Sequence, residues 1–286
     1  MTTPTANDLS SGAAAAPNPN RALWEKGDFT RIAATMRESG EALVAALGVG
    51  PGMDVLDLGC GDGTTAVPSA RLGARVLGVD IAANLVAAGY ARAQSLGLRN
   101  LRFQQGDASR LDALSDGSFD LVVSIFGAMF APGPFDVARE MVRVARTGGR
   151  IVMGNWIPGD PTLVAQILKI SAAYTPPPPE GFISPVSWGV EANVRERFEA
   201  AGIGTADIAC EPATYHFRYR GAPTELLGLF RHYYGPTMNA FEAAAKNNRA
   251  DDLHRELIAL FESQNQGGPD ETVIPATYLK VVVTRA

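Results

Sequence analysis

The stretch Val55-Leu56-Asp57-Leu58-Gly59-Cys60-Gly61-Asp62-Gly63 decides how this chain folds. Its first half, read from Met53 to Leu58, is a short apolar run suited to a buried strand. Glycine at 59, 61 and 63 then breaks the run. A helix is expected next, from about Thr65 to Leu72. A glycine-rich turn between strand and helix lets the backbone come close to a ligand, because no Cβ stands in the way. Downstream the same alternation repeats. ARVLGVD (74–80) is a second strand, followed by a helix over 84–96, and LRFQQGD (101–107) is a third. FDLVVSIF (119–126) is continuously apolar, as a parallel strand buried on both faces should be. A helix over 134–146 and Gly148-Gly149 lead into RIVMGNW (150–156), a fifth strand. Strands and helices in this order predict an α/β fold with a doubly wound, mostly parallel sheet.

Outside this block the pattern is less regular. Residues 1–20, rich in Ala, Pro, Asn, Ser and Thr, read as a disordered tail. They lack the basic and long apolar regions of a secretory signal. Order is expected from about Trp24, with short helices forming an N-terminal cap over 21–48, so that 21–286 make one domain. Past the fifth strand, Asp160-Pro161 start a helix through about Ala173, and Pro176–Pro179 form a stiff connector. A helix over 187–202 follows, then a strand through TYHFRYR (214–220), a helical stretch over 223–265, and a last strand at 277–284. Two insertions, about 157–188 and 221–266, are expected to lie over the open end of the sheet as a lid.

In open α/β sheets ligands bind outside the carboxyl ends of the strands, where strand order reverses. This chain puts acids there. Asp57 ends the first strand and Asp80 the second, about 20 residues beyond the glycine turn, where an acid accepts hydrogen bonds from both ribose hydroxyls. Asp107 follows the third and suits an adenine amino group. A dinucleotide fingerprint would place Gly or Ala where Thr64 stands, and Asp57 would repel a pyrophosphate. The acid suits a cationic ligand instead.

VLDLGCGDG (55–63), VLGVD (76–80), QGDASRLD (105–112), FDLVVS (119–124) and GGRIVMGNW (148–156) together resemble class I S-adenosylmethionine-dependent methyltransferases over about residues 50–156. The resemblance implies a seven-stranded, Rossmann-like sheet in the order 3-2-1-4-5-7-6 with strand 7 antiparallel. It also implies S-adenosylmethionine contacts at Asp57, Gly59, Gly61, Asp80, Asp107 and the segment Ser124, Ile125, Phe126. Cys60, Ile81 and Ala108 beside these residues, and Trp24 and Phe29 as covers, complete the expected set. Cys60 otherwise reads as a small packing residue. WEKGDFTRIA (24–33) and NWIPGDPTLVAQ (155–166) resemble bacterial small-molecule methyltransferases, actinobacterial ones in particular. Within these the chain is similar to indole C-methyltransferases of pyrroloindoline alkaloid pathways.

Composition narrows the acceptor. Of 286 residues 46% are apolar and 19% charged, and the net charge is −5. An acidic chain without a dense Lys/Arg run is a poor match for a phosphate backbone, so no nucleic-acid partner is expected. No membrane partner is expected either, because no apolar run approaches a bilayer span. Two cysteines, Cys60 and Cys210, give neither a disulfide framework nor a zinc pair and fit the cytoplasm. After the fourth strand, amide and exocyclic-amine methylating enzymes carry Asn/Asp-Pro-Pro-Tyr/Phe, where this chain has Ser124-Ile125-Phe126-Gly127. The carboxylates that hold magnesium in catechol enzymes are missing there too, so no metal is expected. Metal-free O-, N- or C-methylation remains, with a flat apolar acceptor among the aromatic residues Tyr174, Phe182, Trp188, Tyr215, Phe217, Phe230, Tyr233 and Tyr234 of the insertions and the strand beside them, and His232, Tyr233 or Tyr234 taking a proton. An NAD(P) oxidoreductase and a non-catalytic S-adenosylmethionine-binding protein are the alternatives from other classes.

Overall fold

The computed structural model describes residues 18, 20–268 and 270–286; apart from Asn18 and Asn20, the tail expected over 1–20 lies outside them. Three short helices come first: α1 (Asn20–Glu25), α2 (Phe29–Ala34) and α3 (Arg37–Ala46). The alternating block follows as β1 (Asp54–Leu58), α4 (Ala66–Arg71), β2 (Arg75–Asp80), α5 (Ala83–Ser95), β3 (Leu101–Gln105), β4 (Phe119–Ile125), α6 (Pro134–Val144) and β5 (Ala145–Trp156). The chain then runs through α7 (Leu163–Ala172), α8 (Glu191–Ala200), β6 (Ile208–Arg220), α9 (Pro223–Tyr233), α10 (Gly235–Lys246), α11 (Ala250–Gln264) and β7 (Glu271–Thr284).

All seven strands join one sheet in the order β3-β2-β1-β4-β5-β7-β6. β1 pairs in parallel with β2 and β4, β2 with β3, and β4 with β5, while β7 runs antiparallel to both β5 and β6. The order and the single reversed strand are those expected. The chain winds outward from β1 to β3 and returns to begin again at β4. The crevice is therefore at the carboxyl ends of β1 and β4.

Each sheet face has its own core. Leu56 and Leu58 of β1 face the layer that holds Val137 and Met141 of α6. Val55, on the opposite face, packs with Val44 and Leu47 near α3 and with Ala66 and Val67 of α4. Central strands buried on both sides explain why their sequences read as continuous apolar runs.

Three departures from the expected outline matter. The helical stretch over 223–265 is three helices, because Gly235-Pro236 restarts the chain after Tyr234 and Asn248 takes a left-handed turn at φ 54°. The helix expected at Asp160-Pro161 starts at Leu163, since the Asp160 carboxylate accepts from the Thr162 N–H at 2.8 Å and holds a turn there. β6 and β7 are also longer than expected. Pairing of β5 with β7 stops at Trp156–Tyr278, but β6 and β7 stay paired out to Arg220–Glu271. The projecting half of this hairpin reaches the N-terminal helices. There the Arg218 N–H donates to the Thr35 carbonyl at 2.8 Å, and Ser39 Oγ accepts from the His216 N–H at 2.9 Å.

Candidate active site

A cavity of about 930 Å³, open to solvent, lies along the carboxyl ends of β1, β2 and β4 and beside the loop after β3. Gly59, Cys60 and Gly61 line it after β1, Asp80 and Ile81 after β2, and Asp107 and Ala108 after β3. Ile125 and Phe126 line it at the end of β4, and Trp24 and Phe29 close it from the N-terminal side.

The glycine turn shows why two of its residues lack side chains. A Cβ on Gly59 (φ 66°) would stand 2.4 Å from Gly127 Cα, so the turn after β1 touches the turn after β4 backbone to backbone. A Cβ on Gly61 (φ 54°) would meet nothing nearer than the Phe29 ring at 4.0 Å; this glycine leaves space on the cavity side. The freedom assigned to both glycines for ligand approach is thus used differently. Gly61 faces the cavity, while Gly59 also serves the strand crossing.

Asp80 is buried, and its two oxygens accept from the Gly61 N–H at 2.8 Å and the Ala82 N–H at 2.9 Å. Burial pushes its carboxyl above the usual range, and those N–H groups pull against the rise. The Asp107 carboxylate accepts from the Ser109 N–H at 2.9 Å, and its other oxygen accepts from Asn18 Nδ2 at 2.9 Å. Asn18 and Asn20 line the cavity, and the Asn20 amide donates to the Phe130 carbonyl. Trp24 packs its ring 4.8 Å from Phe130 and 5.5 Å from Phe29. The N-terminal segment is therefore a strap across the mouth.

Asp57 and Ser124 are not on the cavity wall. Asp57 shares a strand face with Val55, toward α4, and is 1% exposed with Oδ2 unpartnered. Burial, and then the charge on Asp80, push its carboxyl up to about 8, tempered by the Ala66 N–H. Ser124 Oγ donates to the Leu58 carbonyl at 2.7 Å and accepts from the Ala128 N–H at 2.8 Å, so it ties β4 to β1. Cys60 is buried among Asp57, Asp62 and Asp80; burial and their charges hold its thiol protonated.

The proton acceptors expected on the C-terminal helices need correction, because the structure does not bring them to the cavity. His232 is exposed on α9, with Nδ1 2.7 Å from the Gly228 carbonyl of its own helix. Tyr233 lies under the Arg31 guanidinium, 5.9 Å away. Tyr234 is buried behind the cover residues, its ring 6.0 Å from Trp24 and 5.4 Å from Phe230. No residue of 157–188 or 221–266 lines the cavity. α9 packs on α2, and α11 on α7 and α9, which makes these insertions a second layer behind the N-terminal helices.

Sequence reasoning missed Asp62, Thr64 and Asn18 as lining residues, and it counted Tyr215 only among the aromatics of the insertions. Asp62 stands inside the glycine turn already singled out, so its position was the available signal. Asp62 Oδ1 is buried without a partner, while its other oxygen is ion-paired with Arg37. Tyr215 comes from the projecting hairpin. Its ring meets Phe126 edge to face at 5.1 Å, and Phe126, at φ 60°, stacks flat on Trp156 at 3.6 Å. A left-handed phenylalanine costs on the order of 1–3 kcal/mol, and the aromatic box around it holds it in place.

Residues 56–153 match the model of a methyltransferase domain. The Mycobacterium tuberculosis protein Rv1405c, named as uncharacterised, is 32% identical over 243 residues, covering 84% of this chain and 86% of that protein. A demethylmenaquinone methyltransferase of Beutenbergia cavernae is 39% identical over 115 residues, 40% of this chain and 45% of the enzyme. The structure of YcgJ from Bacillus subtilis shares the fold with a TM-score of 0.55 at 20% identity, covering 87% of this chain and 99% of that one. The chain belongs to the same family as the mycobacterial protein and, with a methyltransferase domain on this sheet, it is a class I S-adenosylmethionine-dependent methyltransferase.

Proposed function

We propose that the protein methylates a small, flat, largely apolar acceptor held against Phe126, without a metal ion. The observation that carries this is the single cavity that runs past Asp107, Asp80 and the glycine turn and ends at the aromatic box of β4. Buried acids and a backbone without side chains fit a ligand with a ribose, an amine and a positive sulfur; the aromatic end fits a ring.

Asp80 would accept from the ribose hydroxyls, Asp107 from the adenine amino group, and Asp62 Oδ1 from the ammonium, with the buried Asp57 carboxyl behind the turn. The bound sulfonium supplies a methyl group already activated for in-line displacement. The protein's part is then to align the acceptor and exclude water, and such positioning is worth roughly 7–11 kcal/mol. Trp24 and Phe29 exclude water from one side, and Phe126 orients the ring from the other.

Neither a histidine nor a lysine lines the cavity. That favours an acceptor needing no strong base, such as the electron-rich ring carbon of an indole, over an un-ionised alcohol or ammonium. The partial likeness to a demethylmenaquinone methyltransferase is in keeping with a ring acceptor. Among the described residues no three His, Cys, Asp or Glu side chains are grouped to hold a metal, and no helix is long and apolar enough to cross a membrane.

Calorimetry with S-adenosylhomocysteine tests the cofactor half. Asp80→Ala loses charge-assisted hydrogen bonds worth roughly 1.5–3 kcal/mol each, so its affinity is expected to fall at least tenfold. Unchanged affinity would remove Asp80 from the site. Methyl-labelled cofactor with a panel of indoles, phenols and aliphatic amines tests the acceptor half, and transfer confined to the amines would refute it.

A further inference from the structure

We infer that the Tyr215 hydroxyl is the donor that receives the carboxylate of the cofactor's methionyl group, so that the projecting β6–β7 hairpin reads the amino-acid end of the ligand. This rests on the reading above that S-adenosylmethionine occupies the cavity. Tyr215 lines that cavity at 1% exposure, and its Oη has no hydrogen-bond partner. Nothing in the sheet requires a hydroxyl there, since a phenylalanine would fill the same space.

The position of Oη is tightly bounded. A Cβ on Gly40 of α3 would lie 2.9 Å from it and 2.8 Å from the Thr64 carbonyl oxygen. The hydroxyl therefore sits beside the turn after β1. The groups around it divide by sign. Asp62 Oδ1, on the cavity wall, is a buried acceptor without a partner, and the Asp57 carboxyl lies behind it in the sheet. Arg37 brings positive charge, with Nη1 donating to Thr64 Oγ1 at 2.6 Å and its guanidinium paired with Asp62. A zwitterion needs both kinds of group: an acceptor for its ammonium, and a donor for its carboxylate. Asp62, which lines the cavity, meets the first need, and the Tyr215 hydroxyl meets the second. Burial pushes the phenol up, so it stays protonated and donates.

The ring is also held in place for this task. It meets Phe126 at 5.1 Å and Tyr278 at 6.1 Å, both edge to face. A donor fixed before the ligand arrives loses little entropy on binding. Phe126 is the wall of the proposed acceptor space, so the same ring joins the cofactor's amino-acid end to the acceptor's end.

The test compares wild type and Tyr215→Phe in calorimetry with three probes: S-adenosylhomocysteine, its decarboxylated analogue that keeps the amine, and 5′-methylthioadenosine, which lacks both groups. The wild type is expected to favour S-adenosylhomocysteine over the decarboxylated analogue by roughly tenfold to a hundredfold, the range for a hydrogen bond to a charged group. Tyr215→Phe should weaken S-adenosylhomocysteine by a similar factor and leave the other two within twofold. Its melting temperature should not fall, because the hydroxyl it removes is unpartnered. Equal weakening of both amine-bearing probes, or no weakening of any, overturns the proposal while the cofactor reading stands. A wild type that binds none of the three overturns the cofactor reading itself.

Discussion

Asp57 carries a carboxylate oxygen that no group in the protein satisfies, next to a second buried acid. With its carboxyl pushed up to about 8, it binds a proton more tightly in the folded than in the unfolded chain, where the ordinary value is 3.8. The stabilisation this gives is complete below about pH 4 and fades as pH rises toward 8. Asp57→Asn removes the effect, so its melting temperature should fall less between pH 6 and pH 9 than that of the wild type. An equal fall in the two proteins would show that Asp57 is not the group that titrates. A positive sulfonium nearby favours the ionised form. Binding S-adenosylmethionine at pH 7 should therefore release a proton, read as a calorimetric heat that varies with the ionisation enthalpy of the buffer.

At the scale of elements, α3 and the β6–β7 hairpin meet at Gly40, where a methyl group would press on both the Thr64 carbonyl and Tyr215. Gly40→Ala gains about 0.8–1 kcal/mol of helix propensity and loses about 1–3 kcal/mol to crowding. The balance is a loss of up to about 2 kcal/mol, so its melting temperature should fall by a few degrees, while S-adenosylhomocysteine binds several-fold more weakly because the turn and the tyrosine are displaced. Unaltered binding would mean that the contact yields without moving either. The alternating block was readable because β1, β2, β4 and β5 are apolar on both faces and the acids fall at the strand ends. The hairpin extension was not. Past Trp156–Tyr278 its two strands pair only with each other, so exposed Arg218 and Arg220 alternate with buried Phe217 and a Pro275 interrupts the run. His232, Tyr233 and Tyr234 looked eligible because they cluster at helical spacing, which says nothing about whether the face meets the crevice or, as here, backs the N-terminal helices. Tyr215 was visible only as one aromatic among many; its importance depends on the bend that takes β6 to α3.

For the molecule as a whole, the ligand space is bounded by parts far apart in the chain: the strap at 18–36, the turns of the alternating block, and one tyrosine from the last hairpin. Covering is done by the N-terminal helices, and the C-terminal helices support them from behind through Tyr234. The Mycobacterium tuberculosis relative matches over 84% of this chain, far beyond the methyltransferase domain at 56–153, so the likeness takes in most of this surrounding frame.

The bond from Asn18 to Asp107 has a consequence for timing. An adenine amino group read onto Asp107 offers the same kind of donor, an NH₂ on a planar group, so filling the site exchanges one hydrogen bond for another and changes the equilibrium little. The expected effect is on how long spent cofactor stays, since the amide waits beside the oxygen it must reclaim. In stopped-flow displacement, Asn18→Ala should lower the exit rate of S-adenosylhomocysteine several-fold and tighten its dissociation constant by a similar factor, because the variant gives up no hydrogen bond on binding; an unchanged exit rate would leave the amide with no part in release. The strap would then act as a clock on product departure, helping to empty the enzyme for the next turnover.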